Sequence, residues 1–128
     1  MSKEVIQTNL APAPIGPYNQ AIKANGFIFI SGQIALDPAT GETVTTSIEE
    51  ETHLVMKNIA AILAEAKISF NHIVKTTILL SDMSLFAKVN EVYGSYFTDM
   101  PPARETFAVK GLPRGVNVEI STTAVAEL

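Results

Sequence analysis

Two residues of this 128-residue chain stand where they could do chemistry, Arg104 and Glu119. Arg104 follows Pro101-Pro102-Ala103, and consecutive prolines fix φ near about −65° and remove two backbone donors, so the guanidinium starts from a stiff mount. Its planar fork suits a carboxylate or phosphate, which it can hold through two parallel charge-assisted hydrogen bonds. The bland alternative is a surface arginine in a solvated ion pair. Glu119 interrupts a strand face that otherwise shows only Asn117, Ser121 and Thr123. If a neighbouring subunit closes off that face, desolvation raises the carboxyl pKa toward the range of a base; if Glu119 merely pairs with Arg104, the pKa falls. His53 and His72 lack a second ligand at helical spacing, so neither marks a metal site. There is no cysteine, hence no thiolate nucleophile, disulfide or Cys-based metal site. No glycine run is followed by Lys-Ser/Thr, so no phosphate-cradling loop is present.

Composition limits the partners. The length fits a single domain over residues 1–128. Hydrophobic residues make up 47%, yet no apolar run approaches the roughly 20 residues of a membrane helix. That surplus of apolar surface on a small domain points to an oligomer. The net charge is −4, and the nine Lys and Arg are scattered, so a nucleic-acid partner finds no basic footprint. The N-terminal residues lack the apolar core and cleavage site of a secretory leader, which makes the cytoplasm the expected location.

The elements that must position Arg104 and Glu119 read in the order β-β-α-β-α-β-β. Residues 11–17 hold three prolines and a glycine, too many breakers for a helix, and form a stiff ordered loop or a flexible arm. Residues 18–23 alternate like a strand, and Asn25-Gly26 turns the chain into a second strand, 27–32. Ser47 with Glu50 is a capping-box signature, and an apolar stripe continues through Leu54, Val55, Ile59, Ile62, Leu63 and Ala66 to about Lys67. Residues 73–80 are apolar on both faces, as in a strand covered on both sides. Ser81-Asp82 caps a second helix over roughly 85–97, with Asn90 off its apolar stripe. Residues 104–110 and 116–125 are strands, and the loop between them should make them antiparallel neighbours. Simple counting across that loop places Arg104 on the apolar face of the last strand. A one-residue bulge would instead bring Arg104 and Thr106 onto the face of Glu119, which polarity favours. The architecture is an α+β sandwich with both helices on one sheet face. The other face carries either Phe27, Phe29 and Ser31 or Ile28 and Ile30, and calls for a partner subunit.

Gly16-Pro17-Tyr18, Ser31-Gly32-Gln33, Asn58, Asn90-Glu91-Val92-Tyr93, Pro102-Ala103-Arg104 and Val118-Glu119-Ile120 stand in the order and at the spacings of the RidA (YjgF) family of reactive-intermediate deaminases. The chain resembles that family over nearly its whole length. The resemblance implies a chorismate-mutase-like β-sheet sandwich with two helices on one face, assembled as a homotrimer with clefts between subunits. It implies hydrolysis of 2-imino or enamine acids, such as 2-iminobutanoate and 2-iminopropanoate, to 2-keto acids and ammonia, without cofactor or metal. By the same resemblance Arg104 clamps the substrate carboxylate and Glu119 places or deprotonates the water. Tyr18, Ser31, Gly32, Asn90 and the Thr106 backbone line the cleft. The chain departs from the family pattern at Thr106, where many members have cysteine, at Glu105, where they have serine or threonine, and at Lys67, where glycine is common; Asn19 and Ser121 also differ. A keto-acid sensor or chaperone-like protein without turnover is the competing class. A ribonuclease or translation inhibitor is disfavoured by the acidic balance and the lack of a histidine-centred site. Glu119 discriminates, since a sensor needs only Arg104.

Overall fold

The computed structural model describes residues 2–128. Among them the strands are β1 (Glu4–Ile6), β2 (Ala21–Ala24), β3 (Phe27–Gln33), β4 (Ile73–Leu80), β5 (Ala103–Ala108) and β6 (Val118–Val125); the α-helices are α1 (Ile48–Glu65) and α2 (Phe86–Gly94). Local chemistry sets several boundaries. Asn25 (φ 53°) and Gly26 (φ 82°) form the left-handed turn that joins β2 to β3. The Ser47 hydroxyl accepts the Glu50 N–H at 3.1 Å and starts α1, while the Glu50 carboxylate turns to the Thr46 hydroxyl. Past the end of α1, Lys67 takes the left-handed position (φ 62°) that glycine usually fills.

The strands form one mixed sheet in the order β1-β2-β3-β6-β4-β5, and both helices pack on one of its faces. β1 is a strand that the sequence pattern did not reveal, and β2 begins three residues later than the alternation from Tyr18 suggests. The second helix is shorter than its stripe: it ends at Gly94, after which the Tyr96 and Phe97 N–H groups bond three residues back, to Tyr93 O and Gly94 O. The core joins Val55, Ile59, Ile62 and Leu63 of α1 and Val89 and Tyr93 of α2 to Ile28, Ile30, Ile78, Leu80, Val118 and Ile120 of the sheet.

Three expectations are corrected. The last two strands are not neighbours: β6 inserts between β3 and β4, and β5 lies at the edge, parallel to β4. The reason is α2, which carries the chain from β4 back to its starting end, so that β5 runs parallel as in any crossover unit. β4 is covered on one side only within the chain, since its burial alternates and Lys75 and Thr77 face outward. Finally, no bulge moves Arg104 to the face of Glu119. Arg104 pairs with buried Thr76 on the helix-covered face, whereas Glu119 pairs with Leu79 on the open face. The open face carries Phe27, Phe29 and Ser31, with Ile28 and Ile30 buried beneath the helices.

Candidate active site

The sheet does contain a bulge, but in β3. Ile30 pairs with Thr122 and Gln33 with Ile120, so β3 fits one extra residue, at Ser31-Gly32, against β6. This kink faces Glu119. A methyl group at Gly32 would lie 2.9 Å from Cδ of Glu119 and nearer still to Oε2, so the close approach requires glycine. Ser31 is tied down on both sides: its N–H donates to Gln20 O at 2.9 Å and its hydroxyl to Asn19 O at 2.6 Å. Tyr18, Ser31, Gly32 and Glu119 then line a groove of 370 Å³ together with Ile15, Ile34 and Pro113. Burial among these neighbours pushes the Glu119 carboxyl above its ordinary range.

A second constellation sits at the β5 edge, on the helix side. The Arg104 guanidinium lies 5.3 Å from the centroid of the Tyr93 ring and 5.6 Å from that of Phe86. Nη1 donates to Asn90 Oδ1 at 2.7 Å. Stacking on two rings is worth about 0.5–2 kcal/mol at partly exposed sites and fixes the plane of the fork. Asn90 lies off the apolar stripe of α2, and this is what lets it reach outward to Arg104. Tyr93 is itself fixed by a 2.9 Å hydrogen bond from its hydroxyl to Thr76 Oγ1. Thr106 follows two residues along the same face as Arg104; its hydroxyl oxygen is buried without a hydrogen-bond partner among the described residues.

The seven expected site residues thus fall into two groups, Tyr18, Ser31, Gly32 and Glu119 on one side of the sheet and Asn90, Arg104 and Thr106 on the other. Glu119 is not the ion-pair partner of Arg104 within a chain, and the pKa direction agrees, since burial raises it and no cation is there to lower it. The histidines have local roles. His53 Nδ1 lies 2.8 Å from the Tyr96 hydroxyl, and His72 Nδ1 accepts the Ser69 N–H at 3.1 Å. Among the described residues no cluster of metal-ligating side chains occurs, and no helix is long and apolar enough to cross a membrane.

Comparison with known proteins decides the family. The family model described as endoribonuclease L-PSP matches residues 8–126. The chain belongs to this family, the RidA/YjgF proteins. A RutC family protein of Pyrococcus abyssi is 52% identical over 99% of this chain and 100% of the relative. The mouse 2-iminobutanoate/2-iminopropanoate deaminase is 48% identical over 96% of this chain and 91% of its own length. In structure, a Rid-family protein of Yersinia pestis matches with a TM-score of 0.95 and 45% identity, covering 97% of this chain and 99% of the other.

One departure from the RidA pattern, Glu105, can now be placed. Glu105 points to the open face, away from Arg104, where it pairs with Lys75 Nζ at 3.0 Å and with the Thr77 hydroxyl. These contacts, Thr77 first, hold its carboxyl below the ordinary range. Glu105 therefore adds no charge beside Arg104 within the chain. Sequence reasoning missed Glu51, a fully buried carboxylate at 0% exposure that accepts the Asn117 N–H (2.7 Å), Asn117 Nδ2 (2.9 Å) and the Val118 N–H (3.2 Å). It anchors the start of β6 immediately before Glu119. The signal was present: Glu51 stands four residues before Val55 on the apolar stripe, and Asn58, whose amide donates to Ile34 O and Leu36 O beyond the bulge, stands three residues after it.

Proposed function

We propose that this protein hydrolyses 2-imino acids, such as 2-iminobutanoate and 2-iminopropanoate, to 2-keto acids and ammonia, at a site completed by two subunits of a homotrimer. The observation that carries the reading is Glu119: a desolvated carboxylate set against a glycine backbone on the wall of an open groove, the arrangement expected of a base that must act near neutral pH. Identity to the mouse deaminase supports the substrate class. The placement of Arg104 and Glu119 on opposite sheet faces supports a shared site, because a small substrate reaches both only if Arg104 comes from a partner subunit. Phe27, Phe29 and Phe107, exposed on the open face, supply apolar area for that packing.

In this reading the pre-stacked fork of Arg104 grips the carboxylate of the imino acid, and the Thr106 backbone lines the same end. Glu119 takes a proton from water as its oxygen attacks C2. The imine nitrogen gains a proton, and the carbinolamine so formed loses ammonia as the C2 carbonyl closes. Ser31, Gly32 and Tyr18 frame the attacking water and the substrate side chain. No step calls for a redox partner or metal.

The test is to generate imines in situ from several amino acids with an oxidase and to follow keto-acid appearance with and without the protein. Acceleration is expected; its absence with every imine, alongside a keto-acid-induced thermal shift, would assign the chain to ligand sensing instead. Mixing tests the shared site. Arg104→Ala and Glu119→Gln should each be inactive, and subunits exchanged between them should regain about a quarter of wild-type activity, because one site in four pairs two intact halves.

A further inference from the structure

The proline-rich segment 11–17 is ordered although it has almost no backbone means of being so. Pro12, Pro14 and Pro17 lack N–H groups, and the backbone-to-backbone hydrogen bond found within the segment and its exit is the local Tyr18 N–H to Gly16 O, at 2.8 Å. What ties it down is one side chain. Gln20 is 2% exposed, and its amide spends its whole capacity on the strap: Oε1 accepts the Thr8 N–H at 2.8 Å, and Nε2 lies 2.8 Å from Pro12 O, 3.0 Å from Thr8 O and 3.3 Å from Ala11 O. Ala11 is drawn into the core by the same attachment. Beyond the Pro12 carbonyl no further hydrogen bond ties the strap to the body among the described residues, and Ile15 and Tyr18, both well exposed, stand up as one wall of the Glu119 groove. The Gln20 carbonyl meanwhile accepts the Ser31 N–H on the opposite wall, so a single residue sets the width of the groove from both sides.

We propose that Gln20 is a positioning residue, a latch whose side-chain amide holds the strap wall of the groove against the wall formed by β3, and so governs how tightly the substrate side chain is enclosed. The carboxamide suits this because it combines donors for several inward-facing carbonyls with an acceptor for one N–H; a carboxylate or an alkyl chain of the same length cannot serve both. The chemistry at C2 is left to Glu119, whose backbone is fixed independently through Glu51 at the other end of β6's entry. Loosening the latch should therefore affect binding much more than turnover.

The proposal rests on the imine-hydrolase reading for its kinetic arm but not for its structural one. Gln20→Met keeps chain length and packing and removes the amide. Thermolysin cleavage before exposed Leu10 should become at least about tenfold faster, and KM for a small imine should rise about tenfold with kcat within about threefold of wild type. Thr8→Pro, which deletes the N–H that Gln20 Oε1 accepts, should produce the same pattern more weakly and serves if Gln20→Met does not fold. Unchanged cleavage in both variants overturns the latch, as does a raised KM with the strap still protected, or a kcat that falls in step with kcat/KM. A wild-type protein inactive on every imine would overturn the hydrolase reading, while the cleavage rates would still decide the latch.

Discussion

The two halves of the candidate site are built on opposite physical principles. Glu119 lies in the interior of the sheet, beside a bulge, walled by Ile15, Ile34 and Pro113, and it owes its raised pKa to the loss of water. Arg104 lies on an edge strand, where its charge remains near solvent and its geometry is enforced by two rings and an amide. A carboxylate base gains from desolvation because the raised pKa gives its ionised form a greater affinity for the proton it must take. An anion clamp gains from stiffness and loses from desolvation, because a buried guanidinium without its ligand is costly. Placing the two on different sheet faces lets each have its own environment.

That contrast can be broken from either side. The largest effect is expected from Glu119→Gln, which keeps shape and one acceptor but cannot take a proton. Imine hydrolysis should fall by ~10²-fold or more, while a 2-keto acid still raises the thermal midpoint through Arg104. Turnover at the wild-type rate with intact binding would remove Glu119 from the chemistry. The pH dependence follows from the same residue. With the base active when ionised, the wild-type rate should fall on the acid side with an apparent pKa above that of an ordinary carboxylate. For stability the sign is reversed. Because the folded state keeps this proton longer than the unfolded chain, the contribution of Glu119 is fully present below the unfolded value of 4.5 and is lost as pH rises through the folded pKa. Glu119→Gln should abolish that loss, which thermal melts across the pH range would reveal.

The next largest effect sits where the bulge meets the base. Gly32→Ala places a methyl against the Glu119 carboxylate, so that side chain must move; a roughly tenfold fall in kcat and a cost of about 1–3 kcal/mol in stability are expected. A variant with wild-type kinetics would show that the groove wall yields without disturbing the base. The clamp is next. Arg104→Lys replaces a stacked fork by a point charge and should raise KM by about tenfold with the fold intact, since the residue stands at an edge. An unchanged Michaelis constant would show that the fork does not read the carboxylate. The smallest effect is expected from Asn90→Ala, which removes one 2.7 Å hydrogen bond and leaves both rings under the guanidinium: KM should rise about fivefold, corresponding to about 1 kcal/mol. A larger loss than for Arg104→Lys would mean that Asn90 touches the substrate itself.

Much of this was readable before any coordinates. The helix α1, its Ser47 cap and the Asn25-Gly26 turn were legible because each is decided by residues within a few positions of one another. The motif residues also pointed to the right family. The placement of β5 was not legible. A loop of turn-forming residues between two strands reads as a hairpin, and only the presence of β4 between them, reached through α2, shows otherwise. Glu51 and Gln20 went unnoticed for a related reason: a polar residue on an apolar stripe or just before a short strand becomes informative only when its partners, 66 and 12 positions away in the chain, are known.

By itself, the sequence determined which groups are available for chemistry, since Arg104, Glu119, Asn90 and Gly32 are fixed by covalent structure, and it determined the helices and turns that local propensity controls. Tertiary structure alone decided which side of the sheet each group occupies. Side chains alternate with a period of two along a strand, so the face of Arg104 depends on its register against β4, and that register is set by long-range pairing and the packing of α2. It likewise decided that Glu119 is partly desolvated, because burial is a property of what the rest of the chain places around a residue.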